Sequence, residues 1–151
     1  MTSNANLSPA RLAALLLPPL LAMGLIFFLS AQPSAPVDRA WWDVLLRKAG
    51  HVTEYAVLVA LWWRALRGLG VRYPLAGALA IAIGYAATDE FHQTFVDGRH
   101  GTPVDVLIDC IGMAIAAIAI TVRRLRAAAD LRPLATDGSV GKRLDRARQP
   151  G

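Results

Sequence analysis

Four long apolar runs, each bounded by short polar links, set the hydropathy pattern of this chain. The first, from about Leu12 to Ala31, contains no charge. Its roughly twenty residues, at about 1.5 Å rise each, match a hydrocarbon core about 30 Å thick. Pro18 and Pro19 sit near its start, a kink that membrane helices accommodate. The second run, about Ala49 to Leu66, carries His51, Thr53, Glu54 and Tyr55 in its first turns. The third, about Leu75 to Phe95, turns polar at Thr88-Asp89-Glu90. The fourth, about Val104 to Val122, opens with Asp105 and Asp109 and closes on Arg123-Arg124. Pro74 and Pro103 stand where a helix start accepts proline, and Gly68 and Gly70 where a helix stop accepts glycine. No period-two pattern competes, so the spacing predicts an all-α polytopic membrane protein, with four transmembrane helices in a small bundle. The divisions expected are an N-terminal segment 1–11, a membrane domain 12–124 and a basic, disordered tail 125–151. An uncleaved first span is preferred to a signal peptide. The run is long for an h-region, and Leu29-Ser30-Ala31 places a bulky residue where cleavage prefers a small one.

Charge on the links sets the expected orientation. Arg64, Arg67 and Arg72 lie between the second and third runs with no acid, and Arg123, Arg124 and Arg126 follow the fourth. The link after the first run mixes Asp38 and Asp43 with Arg39, Arg47 and Lys48. The positive-inside rule then puts both termini in the cytoplasm of a multi-pass protein of the cytoplasmic membrane. The polar ends of runs two, three and four thereby share the extracytoplasmic side. The net charge of +5 resides from Arg123 onward, in a segment with eight Lys or Arg and three Asp. A basic tail behind an apolar body fits a membrane surface or topology signal, and no nucleic-acid partner is expected. The single cysteine, Cys110, excludes an intrachain disulfide and a multi-cysteine metal cage; a small apolar role on a buried helix is expected of it.

The chemistry is concentrated at those polar ends. All three histidines and both glutamates fall between Lys48 and Tyr55 or between Asp89 and His100. Ionisable groups at membrane depth cost about 2.5–3.5 kcal/mol each on insertion scales, which makes them functional candidates. Lys48, His51 and Glu54 recur every three residues and span an arc of about 120° on a helix, with Tyr55 inside it. Asp89, His92 and Gln93 share a second face with Glu90 one step around, Asp105 and Asp109 share a third, and the loop adds Arg99. The candidate polar site is therefore Lys48, His51, Glu54, Tyr55, Asp89, Glu90, His92, Gln93, Arg99, Asp105 and Asp109. Five carboxylates face two permanent cations, an imbalance that protons, a metal or a cationic partner must relieve. Salt bridges that merely lock helices are the bland reading of any one residue, but such pairs tend to balance. A divalent metal is the sharper one. His51-x-x-Glu54 and Asp89-x-x-His92 give carboxylate–histidine pairs related to those of di-metal bundles and suited to zinc, manganese or iron. Apart from that candidate, no cofactor is expected. Nucleophilic catalysis has little support, since Cys110 has apolar neighbours and no serine flanks the cluster in sequence. Trp41-Trp42 and Trp62-Trp63 fit aromatic belts at the two interfaces.

The order of motifs resembles the VanZ-like family of small bacterial membrane proteins. The stretches that carry the resemblance are Leu29-Ser30-Ala31-Gln32-Pro33, Lys48-x-x-His51-x-x-Glu54-Tyr55, and Asp89-Glu90-x-x-Gln93-x-Phe95. Gly98-Arg99 and Asp105-Val106-x-x-Asp109-x-x-Gly112 follow. Asp109 stands where many members have Asn, and Asp97 where a proline is usual. The resemblance implies a bacterial source and a cell-envelope role, with a family link to resistance against the glycopeptide teicoplanin; it supplies no reaction. Two functional readings follow. One is a polar site in the outer leaflet that binds or processes a lipid or lipid-linked precursor headgroup, with Lys48 and Arg99 on phosphate. The other is a structural or regulatory partner of an envelope membrane protein, or a homo-oligomer, with Gly77, Gly84 and Gly112 permitting close helix approach. Whether the protein is an enzyme is open at this point.

Overall fold

Proline opens three of the four helices. In the computed structural model, which describes residues 8–32, 41–99 and 101–136 without the side chains of residues 43 and 132–136, the helices are α1 (Pro9–Ser30), α2 (Trp41–Gly68), α3 (Pro74–Gln93) and α4 (Pro103–Thr136). Each N1 proline lacks a donor that a helix start leaves unpaired in any case. Ser8 caps α1 by accepting from the Arg11 amide at 3.3 Å. α2 stops in a Schellman turn: the Gly70 amide bonds the Arg67 carbonyl and the Val71 amide the Leu66 carbonyl, with Gly70 at φ 76°. The glycine stop read from the sequence is thus seated at Gly70.

The all-α architecture stands, and two boundaries move. α2 begins at Trp41, two turns before the apolar run, because nothing from there to Gly50 breaks a helix. α4 continues to Thr136, so residues 125–136 are helical rather than disordered; Leu125, Ala127, Ala128, Ala129 and Leu131 are strong helix formers. The N-terminal residues 1–7, the charges Asp38 and Arg39, His100 and the tail beyond 136 lie outside the described residues. Two helices, α1 and the Pro103–Leu131 stretch of α4, are long and apolar enough to cross a membrane.

The chain divides into two compact units, the first ending at Ala117 and the second starting at Ile118. In the first, α2 packs against both α1 and α3. Tyr55, Leu58, Val59 and Ala65 of α2 are buried, as are Ala78, Ala82 and Ala86 of α3. Those alanines recur every four residues, a small-residue stripe that lets two helices approach closely. One more step of four reaches Glu90, also buried. The packing face of α3 therefore changes from methyl to carboxylate at its last turn, and that change begins the site. In the second unit, the described helix is exposed from residue 121 to residue 131.

At the other end of the first unit, Pro18 leaves the Ala14 carbonyl without its i+4 amide donor. Arg64 of α2 supplies one, its guanidinium nitrogen 2.7 Å from that oxygen. The α1 proline pair is thus accommodated by a neighbouring helix. Outer faces remain apolar: Leu21, Leu25, Phe28, Ile111 and Ile115 are all exposed.

Candidate functional site

The end of α1, the start of α2, the end of α3 and the start of α4 converge, and their polar residues are joined pairwise. The convergence depends on two close approaches. A Cβ at Gly112 would collide with the Val52 carbonyl oxygen, and one at Gly101 with the Glu90 carbonyl oxygen. Only a residue without a side chain admits either contact. Gly84, by contrast, has nothing within 4 Å of its Cβ position, and Gly77 meets only a Leu66 methyl. Of the three glycines expected to allow close approach, Gly112 is the one set against a neighbouring backbone.

With α4 held against α2, Lys48 pairs with Asp105 at 3.2 Å and His51 Nδ1 lies 3.0 Å from Asp109 Oδ1. The first pair is partly exposed and contributes at most about 1 kcal/mol. The second involves a carboxylate with 0% exposure, whose other oxygen, Oδ2, accepts no hydrogen bond from a described residue. Thr102 caps α4: its Oγ1 accepts from the Asp105 amide at 3.3 Å and donates to Asp105 Oδ2 at 2.8 Å. The Thr102 amide, which a capping box would turn toward Asp105, instead donates to Glu90 Oε2 at 3.0 Å. Glu90 thereby fastens α3 to the start of α4.

Asp89 turns the other way. It accepts from Ser30 Oγ of α1 at 2.6 Å and from Gln93 Nε2 at 3.0 Å, and Gln93 also reaches Glu90 Oε1 at 3.3 Å. No serine flanks the cluster in sequence, yet Ser30 reaches it from an element 59 residues away. Among the described residues Arg99 pairs with no carboxylate. Its guanidinium donates to the Gln32 and Leu29 carbonyls at 2.9 and 2.8 Å, bracing the C-terminal end of α1. Cations suit that end of a helix dipole. Burial, then the nearby Arg47 charge, lowers the Arg99 pKa, while Asp89, Glu54 and Glu90 oppose the shift. His92 lies against α1, stacked on Phe27 with ring centroids 4.5 Å apart. Tyr55 is fully buried, and its hydroxyl has no hydrogen-bond partner among the described residues.

Between these groups lies a cavity of about 310 Å³, lined by Leu29, Ser30, Gln32, Arg47, Gly50, His51, Glu54, Asp89 and Arg99. Glu54 accepts no hydrogen bond from a described residue and faces this space. Arg47 also lines it, although its position outside the second apolar run gave no reason to place it there. The carboxylate–histidine group that comes together is His51, Glu90 and Asp109, with one ligand atom of each within 4.8 Å of the others. Glu54, Asp89 and His92, expected with His51 as ligands, do not join that group. The i, i+3 spacing marked neighbours on one helix, whereas this group takes one residue from each of α2, α3 and α4.

The VanZ/LLP1 family model matches residues 7–124, most of the chain. The chain belongs to the VanZ/LLP1 family. The matched segment holds all four converging helix ends, so the residues paired above lie inside the VanZ/LLP1 region. No curated protein and no solved structure matches this VanZ/LLP1 chain significantly.

Proposed function

We propose that this VanZ/LLP1 protein crosses the bacterial cytoplasmic membrane four times with both termini inside, and binds the headgroup of an envelope lipid or lipid-linked precursor in the outer leaflet. The carrying observation is the cavity between the helix ends, where the Glu54 carboxylate accepts no bond from a described residue and Arg47 and Arg99 join it in the lining. A pocket with both signs of charge suits a headgroup bearing phosphate and amine, the positive field of the two guanidinium groups, which keep their own partners, favouring the phosphate and Glu54 meeting the amine. Lys48 takes no part in this version, since Asp105 occupies it. The apolar outer faces of α1 and α4 fit lipid contact. Those faces would equally accept a partner protein, but such a partner gives no account of an open carboxylate within the bundle.

The test is lipid co-purification. Wild type and Glu54→Gln, extracted in mild detergent, are compared by mass spectrometry; one phospholipid class enriched on wild type and depleted on the variant is expected. Identical profiles overturn the reading. Topology is tested separately, with Cys110 replaced and single cysteines placed at Asp38 or Gly138. An impermeant thiol reagent should label only the first in intact cells.

A further inference from the structure

We propose that His51, Glu90 and Asp109 form a binding site for one divalent cation of the zinc or manganese class. The three side chains come from α2, α3 and α4, and one donor atom of each lies within 4.8 Å of the others. One imidazole and two carboxylates form the mixed nitrogen and oxygen set such ions accept. Metal–ligand distances of about 2.0–2.2 Å require these atoms to close by about 1 Å, within reach of side-chain rotation on a fixed backbone.

A second observation points to a ligand. Asp109 is fully buried, and Oδ2 has no hydrogen-bond donor among the described residues. A buried carboxylate oxygen without a partner is costly, and a cation satisfies it. Charge agrees: two carboxylates and a neutral imidazole carry two negative charges, which one divalent ion cancels. Lys48, one turn before His51, is engaged by Asp105. The surroundings also hold the ligands in place. Glu90 is fixed by the Thr102 amide and by Gln93, and the Gly112 contact sets the spacing of α2 and α4. Outer contacts of this kind orient ligands in metal sites. His51 also lines the cavity, which gives an ion a route in. The site is separate from the lipid reading and does not depend on it.

The experiment uses the full chain purified in detergent, stripped with chelator and reloaded with Zn²⁺, Mn²⁺ or Mg²⁺, with bound metal measured by elemental mass spectrometry. The expected result is one Zn²⁺ or Mn²⁺ per chain with a Kd below about 10 µM. Asp109→Asn and Glu90→Gln should each weaken binding at least about tenfold, in line with the loss of a ligand contact. His92→Gln, outside the group, should bind as wild type does. Co²⁺ provides a reading without any variant, since visible d–d bands report a nitrogen and oxygen ligand set. Wild type that binds no metal, or binds it equally after Asp109→Asn, overturns the proposal. So does a His92→Gln loss as large as that of Asp109→Asn.

Discussion

His51 and Asp109 meet at 3.0 Å because Gly112, one helical turn beyond Asp109, lets α4 lie against the Val52 carbonyl. A methyl at that glycine has nowhere to go, since the obstacle is backbone. Gly112→Ala is expected to destabilise the detergent-solubilised protein by about 1–3 kcal/mol, the usual cost of overpacking. Gly84→Ala, with open space around it, should stay within about 1 kcal/mol of wild type. A thermal-shift comparison of the two reads this directly; equal shifts would show that the close approach carries no stability.

The bond from Arg64 to the Ala14 carbonyl exists because Pro18 has no amide hydrogen. Arg64→Ala should therefore cost about 1 kcal/mol in wild type and close to nothing when Pro18 is already alanine, whose own amide serves the carbonyl. The coupling in this double-mutant cycle should be about 1 kcal/mol. Strict additivity would mean that the guanidinium contributes nothing through that oxygen.

Ser30→Ala removes the hydroxyl from Asp89 Oδ1 and leaves a buried carboxylate with one donor fewer. The expected loss is about 1–3 kcal/mol. Ser30→Thr keeps a hydroxyl and should recover most of it. The check is the melting temperature of the three proteins side by side.

Glu54 and Arg99 should separate where a reading by charge alone would pair them. Glu54→Gln removes no hydrogen bond made within the described residues, so membrane abundance and melting temperature should hold while the lipid profile changes. Arg99→Lys keeps the charge but cannot span the Gln32 and Leu29 carbonyls as a fork, and should cost about 1 kcal/mol of stability. Abundance by immunoblot and melting temperature, scored together, distinguish the two outcomes.

Much of this arrangement was legible in the sequence. The four helices follow from apolar runs and from prolines at their starts, and the shared polar end follows from which termini carry charge. The hidden parts depend on partners distant in sequence. Ser30 belongs to an apolar run and announces no bond to Asp89. Arg99 read as a phosphate contact, and nothing in the sequence marks the two carbonyls at the end of α1 that its guanidinium serves. Gly101 and Thr102 gave no signal as the residues that fasten Glu90, because a loop glycine reads as a turn until a backbone is found against it. Nor did the spacing that singled out His51, Glu54, Asp89 and His92 point to the cluster of His51, Glu90 and Asp109, since spacing along one helix reports neighbours on that helix while this cluster takes one residue from each of three.

The Ala14 carbonyl also bears on the order of assembly. α1 emerges from synthesis with a backbone acceptor that its own sequence cannot serve, and the donor lies 50 residues later on α2. Within the four-span topology proposed above, α1 and α2 inserting together would supply that donor before the carbonyl meets hydrocarbon.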